Sequence, residues 1–196
     1  MPAHVETPQA VPAATLRALA RVIRASPLFT TNTLNRDFVG TRGFSVVFQR
    51  SELARVAREF PAFEAYLALA LRTDANAFYL NPLELAQGSR VDPHIDRSLR
   101  SYLKDILPPL EVSVLYLELP PAMEGGELVL ARGKKHLARI RPAPGMLVRF
   151  EGDLTHSIER LQSPGKRLSL VCEQYELTAD ELAQVPAYAV ESRARY

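Results

Sequence analysis

The chain has 196 residues, 47% of them apolar and 23% charged. That composition forms one folded domain and excludes an intrinsically disordered chain. Its 24 basic and 22 acidic side chains leave a net charge of +2, too balanced for the electrostatic footprint of a nucleic-acid or membrane-surface protein. The lone Cys172 excludes an internal disulfide and a cysteine-rich zinc module, and fits a reducing compartment.

Residues 1–12 hold three prolines and little periodicity, which reads as a flexible N-terminal arm with His4 in it. They carry no basic n-region and no apolar h-region of a secretory signal. No stretch approaches the ~20 apolar residues that span a bilayer, so a cytoplasmic protein without membrane contact is expected. Over 13–26, Leu16, Leu19, Ala20, Val22 and Ile23 recur at helical spacing until Ser26-Pro27 stops them. The β-branched and aromatic run 43–49 predicts a strand. Ser51 is placed to cap a second helix whose stripe is Leu53, Val56, Ala57 and Phe60, and Pro61 restarts the chain into a third helix over 62–72. These helices, 13–72, are expected to support a core formed by 73–177.

After Thr73 the texture changes to short apolar runs at 78–85, 112–119, 127–130, 137–140, 146–150, 157–161 and 168–175, punctuated by glycine and proline pairs. Such spacing argues for an antiparallel sandwich or barrel. A last helix is expected over 178–185, followed by a tail to 196. The fold class is α+β, mainly β, with helices buttressing one sheet of a jelly-roll sandwich.

Four histidines are present, and two stand in a suggestive setting. His94-Ile95-Asp96 follows Pro93; on extended backbone, positions i and i+2 share a face, so an imidazole and a carboxylate converge while Ile95 turns into the core. His156 lies far downstream in Thr155-His156-Ser157-Ile158. Two imidazoles and a carboxylate make the facial triad that leaves open positions on a non-haem Fe(II). Arg167 and Ser169 share one face of a later strand, and an arginine fork beside a hydroxyl suits the end of a small dicarboxylic acid.

The segments 92–96, Tyr116-Leu117 leading to Gly125-Gly126-Glu127-Leu128, 144–150, His156 and 165–169 occur in the order and with the gaps of a known group. Over about 78–175 the chain resembles the Fe(II)/2-oxoglutarate-dependent dioxygenase superfamily, particularly its prolyl-4-hydroxylase-like branch. The resemblance implies a double-stranded β-helix in which His94, Asp96 and His156 bind Fe(II). Arg167, helped by Ser169, would hold the distal carboxylate of the cosubstrate 2-oxoglutarate, with O2 as the oxidant. Relatives often carry a tyrosine shortly before the His-x-Asp where this chain has Leu85, and Tyr79 or Tyr116 is the candidate to supply that hydroxyl. The activity implied is oxidative decarboxylation of 2-oxoglutarate coupled to hydroxylation of an unactivated C–H bond. An intact Asp96 favours hydroxylation over halogenation, because halogenating relatives lack this carboxylate.

The substrate reading leans to a small molecule such as an amino acid or natural-product intermediate. The alternatives are a prolyl or peptidyl hydroxylase, an iron dioxygenase of cupin type without 2-oxoglutarate, and a catalytically silent metal-binding module of the same fold. Arg90, Arg97 and Arg100 flank the ligands, and one of them is a candidate for a substrate carboxylate. The stretch 98–109, with Tyr102 and Lys104, is a candidate lid. The basic run 131–141 around His136 reads as a solvated hairpin, without the interleaved aromatic residues of a single-strand binder. The pair Gly125-Gly126 reads as a turn, and Cys172 as a small core residue.

Overall fold

A computed structural model describes residues 2–32 and 37–194. It contains twelve strands and four α-helices: β1 (His4–Thr7), α1 (Ala13–Ala25), β2 (Thr30–Asn32), β3 (Phe38–Gly43), β4 (Ser45–Gln49), α2 (Leu53–Glu59), α3 (Glu64–Ala70), β5 (Ala77–His94), β6 (Glu111–Glu118), β7 (Leu128–Arg132), β8 (Lys135–Ile140), β9 (Leu147–Glu151), β10 (Thr155–Ile158), β11 (Lys166–Tyr175), α4 (Ala179–Leu182) and β12 (Tyr188–Glu191). The strands run β1-β9-β6-β11-β5-β10-β7-β8, with β3 and β4 on the other edge of β5, β2 on β3 and β12 on β4. This is the curled antiparallel sheet of a jelly roll.

β5 is the hub. One of its edges pairs with β11 from Ala77 to Ala86 and then with β10 at Val91 and His94, while β4 and β3 divide the opposite edge. The strand therefore links the two halves of the roll and delivers its last residue to the rim.

Period-2 alternation explains how both faces of the major layer are buried. From β11, Leu168, Leu170 and Cys172 point outward and pack with Leu115 and Leu117 of β6 beneath Leu16, Leu19, Ala20 and Ile23 of α1. The intervening Arg167, Ser169, Val171 and Glu173 point into the roll, as do Val112, Val114 and Tyr116. Each large side chain that α1 buries contributes about 1.5–3 kcal/mol.

Several sequence expectations are corrected. The segment read as a flexible arm supplies β1, paired with β9 from His4↔Phe150 to Thr7↔Leu147; the two prolines around it hid a four-residue edge strand, and edges tolerate proline. The strand expected over 43–49 is β4, but the rest of 13–72 is not helical support alone, since β2 and β3 join the sheet as well. Glycine-bearing Phe38–Gly43 lacks a strand pattern of its own and is held by β5. Ser51 does not cap the second helix but lies inside a 3-10 turn, Arg50–Glu52, and another such turn, Pro61–Phe63, precedes α3. The last helix is one turn closed by a Thr178–Glu181 capping box, and the tail after it forms β12 against β4.

Candidate metal centre and cosubstrate pocket

β5 ends at His94, and β10 runs antiparallel beside it so that His156 stands directly opposite. The two rings lie 4.4 Å apart between centroids. Phe38 sets its edge against His94 and Phe150 tilts against His156, which restricts both rings. Asp96, just past the strand end, points back so that its Oδ1 lies 3.1 Å from Nε2 of His94 and its Oδ2 lies 3.3 Å from Nε2 of His156. One ligand atom from each of the three residues falls within 4.8 Å of the others. Ile95 turns away from this cluster as expected, but into a cleft at the rim, where it stays 38% exposed, and not into the core.

The backbone fixes the tautomers. Nδ1 of His94 lies 2.8 Å from the carbonyl oxygen of Asp92, and Nδ1 of His156 lies 3.2 Å from that of Leu154. A carbonyl only accepts, so each Nδ1 carries a proton, and each Nε2 is left as the atom that faces Asp96 and that a metal would take. In the metal-free protein, burial opposes a charged His94, yet the hydrogen bond and charge of Asp96 prevail and push its pKa up to about 9. Burial likewise opposes ionisation of Asp96, but the two histidines hold it well below the usual carboxylate range. A cation between the three atoms would replace those protons with a charge the carboxylate already attracts.

The second half of the site lies deeper in the roll. Arg167 of β11 is 1% exposed, and its Nε and Nη1 make no hydrogen bond. Its guanidinium lies over the ring of Tyr116, with Cζ 4.9 Å from the centroid, and the Tyr116 hydroxyl also makes no hydrogen bond. Burial pulls the Arg167 pKa down, with Tyr116 opposing it, though a guanidinium stays protonated. A buried cation with unsatisfied donors costs several kcal/mol unless an anion meets it. Arg167, Tyr116, Ser169 and Asn81 line the same cavity as His94, Asp96 and His156, with Val112, Val114, Leu128 and Phe150 as apolar walls. The donor set therefore fits both groups the sequence implies: a divalent metal at the rim, and beneath it a small molecule bearing carboxylate.

Gly125 and Gly126, at φ +70° and +76°, form a turn before β7. A Cβ on Gly125 would run into the carbonyl oxygen of Arg160, and one on Gly126 would press on Leu161, Met123 and the Arg167 stem. The turn is structural.

The two tyrosine candidates separate. Tyr116 shares the cavity with Arg167, whereas Tyr79 does not line it. The Tyr79 hydroxyl accepts a hydrogen bond from Ser45 at 2.5 Å, and its ring packs with Leu99 and Leu103. The stretch 98–109 is not a free lid, because Leu99, Leu103 and Ile106 anchor it in that apolar cluster. In the basic hairpin, Arg132 pairs with Glu151, Arg139 with Glu159 and Arg141 with Glu127, which leaves Lys134 and Lys135 at the tip without an ion-pair partner among the described residues. Cys172 is fully buried, and burial pushes its thiol pKa up.

Sequence reasoning missed Glu173. It continues the two-residue alternation of Arg167, Ser169 and Val171, faces the cavity, and accepts hydrogen bonds from the Ser98 amide at 3.1 Å, the Ser98 hydroxyl and the Tyr175 hydroxyl. Burial, reinforced by the charge of Asp96, raises its pKa to about 8 against those hydrogen bonds. Continuing the alternation along β11 would have found it.

No protein-family model and no curated protein matches the sequence. Solved structures do. A prolyl-4-hydroxylase from Pseudomonas putida superposes with a TM-score of 0.63 at 19% identity, covering 91% of this chain and 95% of its own. The fold is that of the 2OG-Fe(II) oxygenases. An oxidoreductase of that family from Burkholderia pseudomallei gives a TM-score of 0.59 at 13% identity over 90% of this chain and 86% of its own. A prolyl hydroxylase from Trichoplax adhaerens, in complex with a peptide fragment of the hypoxia inducible factor oxygen degradation domain, gives 0.59 at 14% identity over 92% and 86%.

Proposed function

We propose that the chain is an Fe(II)- and 2-oxoglutarate-dependent oxygenase that hydroxylates an unactivated C–H bond. The observation that carries this reading is the buried, unsatisfied Arg167 guanidinium in one cavity with the His94–Asp96–His156 cluster. Iron and 2-oxoglutarate, when bound, supply O2 activation coupled to oxidative decarboxylation of the cosubstrate to succinate and CO2.

The chain's own residues bind, orient and exclude. His94 and His156 present Nε2 lone pairs fixed by their backbone hydrogen bonds, and Asp96 adds the anionic ligand. Arg167 takes the distal carboxylate as a planar donor fork, with the hydroxyls of Tyr116 and Ser169 beside it. The apolar walls keep water from the metal face, which strengthens each of these interactions. Against the silent-module alternative we set the retention of His94, Asp96 and His156 as a possible metal cluster in one cavity with the buried Arg167. The cupin-type alternative leaves Arg167 without a counter-ion.

The reading leans to a small-molecule substrate. A peptide substrate is the second reading, favoured by the likeness to prolyl hydroxylases, one of which holds a peptide. Succinate formation with Fe(II), 2-oxoglutarate and O2 tests the class: slow turnover without added substrate is expected from the wild type and lost in His94→Ala and Arg167→Ala. Turnover that survives both changes would overturn it.

A further inference from the structure

The inference concerns the substrate of the oxygenase site and rests on the oxygenase reading. Three arginines flank the metal ligands, and the structure separates them. Arg90 is tied to Asp92, with Nε 2.7 Å from its Oδ1. Arg97 and Arg100 have no ion-pair or hydrogen-bond partner among the described residues, are exposed, and line the rim cleft of about 620 Å³ that also contains His94 and Asp96. Asp37 and Glu191 line the cleft too, but neither is paired with these arginines, and Glu191 accepts the Tyr102 hydroxyl.

The local backbone brings both cations to one cleft. Ser98–Ser101 is a 3-10 turn capped by Arg97, and the Arg100 amide donates to the Arg97 carbonyl at 3.0 Å. Arg97 stands just before the turn, at φ −155° and ψ 49°, and Arg100 inside it, and both line the rim cleft. The turn is also held rigidly: Leu99 is fully buried, and Ser98 is bound to Glu173 through both its amide and its hydroxyl. Two cations on one cleft, neither with an ion-pair or hydrogen-bond partner among the described residues, favour an anion there.

That anion is not the cosubstrate. One carboxylate, Asp96, and one guanidinium, Arg167, already balance a divalent metal and a dianionic 2-oxoglutarate, so the charge of the inner site is closed without Arg97 and Arg100. Nor does either guanidinium tie the fold together by an ion pair or hydrogen bond among the described residues. We infer that Arg97 and Arg100 together anchor an anionic group, a carboxylate or a phosphate, on the molecule to be oxidised, and so hold its C–H bond over the face formed by His94, Asp96 and His156. The substrate class is a small acid, free or phosphorylated, and not a neutral internal peptide segment.

The test uses matched pairs: the proteinogenic amino acids and their N-acetyl derivatives against the corresponding amides, with O-phosphoserine, O-phosphothreonine and O-phosphotyrosine against the unphosphorylated N-acetyl amides. Succinate formation above the substrate-free rate is recorded for the wild type and for the Arg97→Gln/Arg100→Gln double variant, whose exposed side chains put folding at little risk. At least one acid or phosphate ester is expected to stimulate the wild type while its neutral partner does not. In the double variant its apparent KM should rise about 10- to 100-fold, the usual cost of lost charge-assisted hydrogen bonds, with the KM for 2-oxoglutarate unchanged. In the apoprotein, the Nε–H NMR signals of Arg97 and Arg100 should shift on titration with the same acid. Stimulation by neutral compounds, stimulation indifferent to the double change, or no stimulation by any member of the panel would each overturn the anchor. The anaerobic Fe(II)/2-oxoglutarate visible band, measured in parallel, separates the two failures. If it forms, only the anchor has failed; if it never forms in the wild type, the oxygenase reading has failed and the anchor falls with it.

Discussion

Replacing Arg167 with methionine separates fold from function in a way few substitutions at a buried residue do. Arg167 is 1% exposed, with two guanidinium nitrogens that make no hydrogen bond. In the ligand-free protein it therefore carries a desolvation cost of several kcal/mol, offset only in part by Tyr116 and the charge of Glu127. Methionine fills much of the same volume without that cost. Arg167→Met should unfold at the same temperature as the wild type or higher, where most large buried side chains lose about 2–5 kcal/mol on truncation.

Binding should behave in the opposite way. The fork makes charge-assisted hydrogen bonds worth about 1.5–3 kcal/mol each, so losing two weakens 2-oxoglutarate by at least about 100-fold. The assay is thermal unfolding followed by circular dichroism, with Ni(II) present and 2-oxoglutarate varied. At about 100 times its Kd the ligand stabilises the wild type by about 2.7 kcal/mol, or roughly 5–11 °C for a domain of this size. The variant should show no such rise at the same concentration. A variant that unfolds far below the wild type without ligand, or that keeps the 2-oxoglutarate shift, would refute the assignment of Arg167 as a cosubstrate residue.

Three further outcomes follow from the same geometry. With His94 pushed up to about 9 and Asp96 already ionised in the metal-free protein, each bound metal displaces one proton; Ni(II) affinity measured by calorimetry should rise about tenfold per pH unit from 7 towards 9, and a flat profile would contradict it. Glu173 has its pKa raised from 4.5 to about 8, so between those values the folded state binds more protons than the unfolded, and metal-free stability falls as pH rises. Glu173→Gln should flatten that part of the Tm-against-pH curve, and an unchanged slope would count against a neutral Glu173. Gly125→Ala combines a left-handed backbone with a clash against the Arg160 carbonyl; a loss of more than about 2 kcal/mol, seen as a Tm lower by roughly 4–8 °C, is expected, and a silent substitution would show that the turn is not fixed.

The parts of the fold that were legible in the sequence are those whose pattern is local. α1 carries its apolar stripe every three or four residues, and the strands from β5 to β11 carry dense apolar runs between turn residues, because helices cover one face of the sheet and the roll encloses the other. His94 and Asp96 could be paired because two-residue spacing on extended chain fixes a face. The strands β1, β3 and β12 were not legible: each is short, polar or flanked by proline or glycine, and exists because a longer strand offers it an edge. Tyr79 and Tyr116 were indistinguishable as residues; only the register of β6 on β11, which sets Tyr116 beside Ser169, selects one. Ile95 was misplaced because β5 ends at His94, so the alternation that would have buried it stops one residue too soon.

The central claim is that one cavity holds a metal through His94, Asp96 and His156, and 2-oxoglutarate through Arg167. Anaerobic titration of the apoprotein with Fe(II) and then 2-oxoglutarate tests both halves together, read as the weak visible charge-transfer band of the chelate. The account predicts a band in the wild type that is absent in His156→Ala for want of metal, and absent in Arg167→Ala at wild-type-saturating 2-oxoglutarate although metal still binds. A band that persists in either variant, or a wild type that binds Fe(II) and 2-oxoglutarate without producing one, would contradict it.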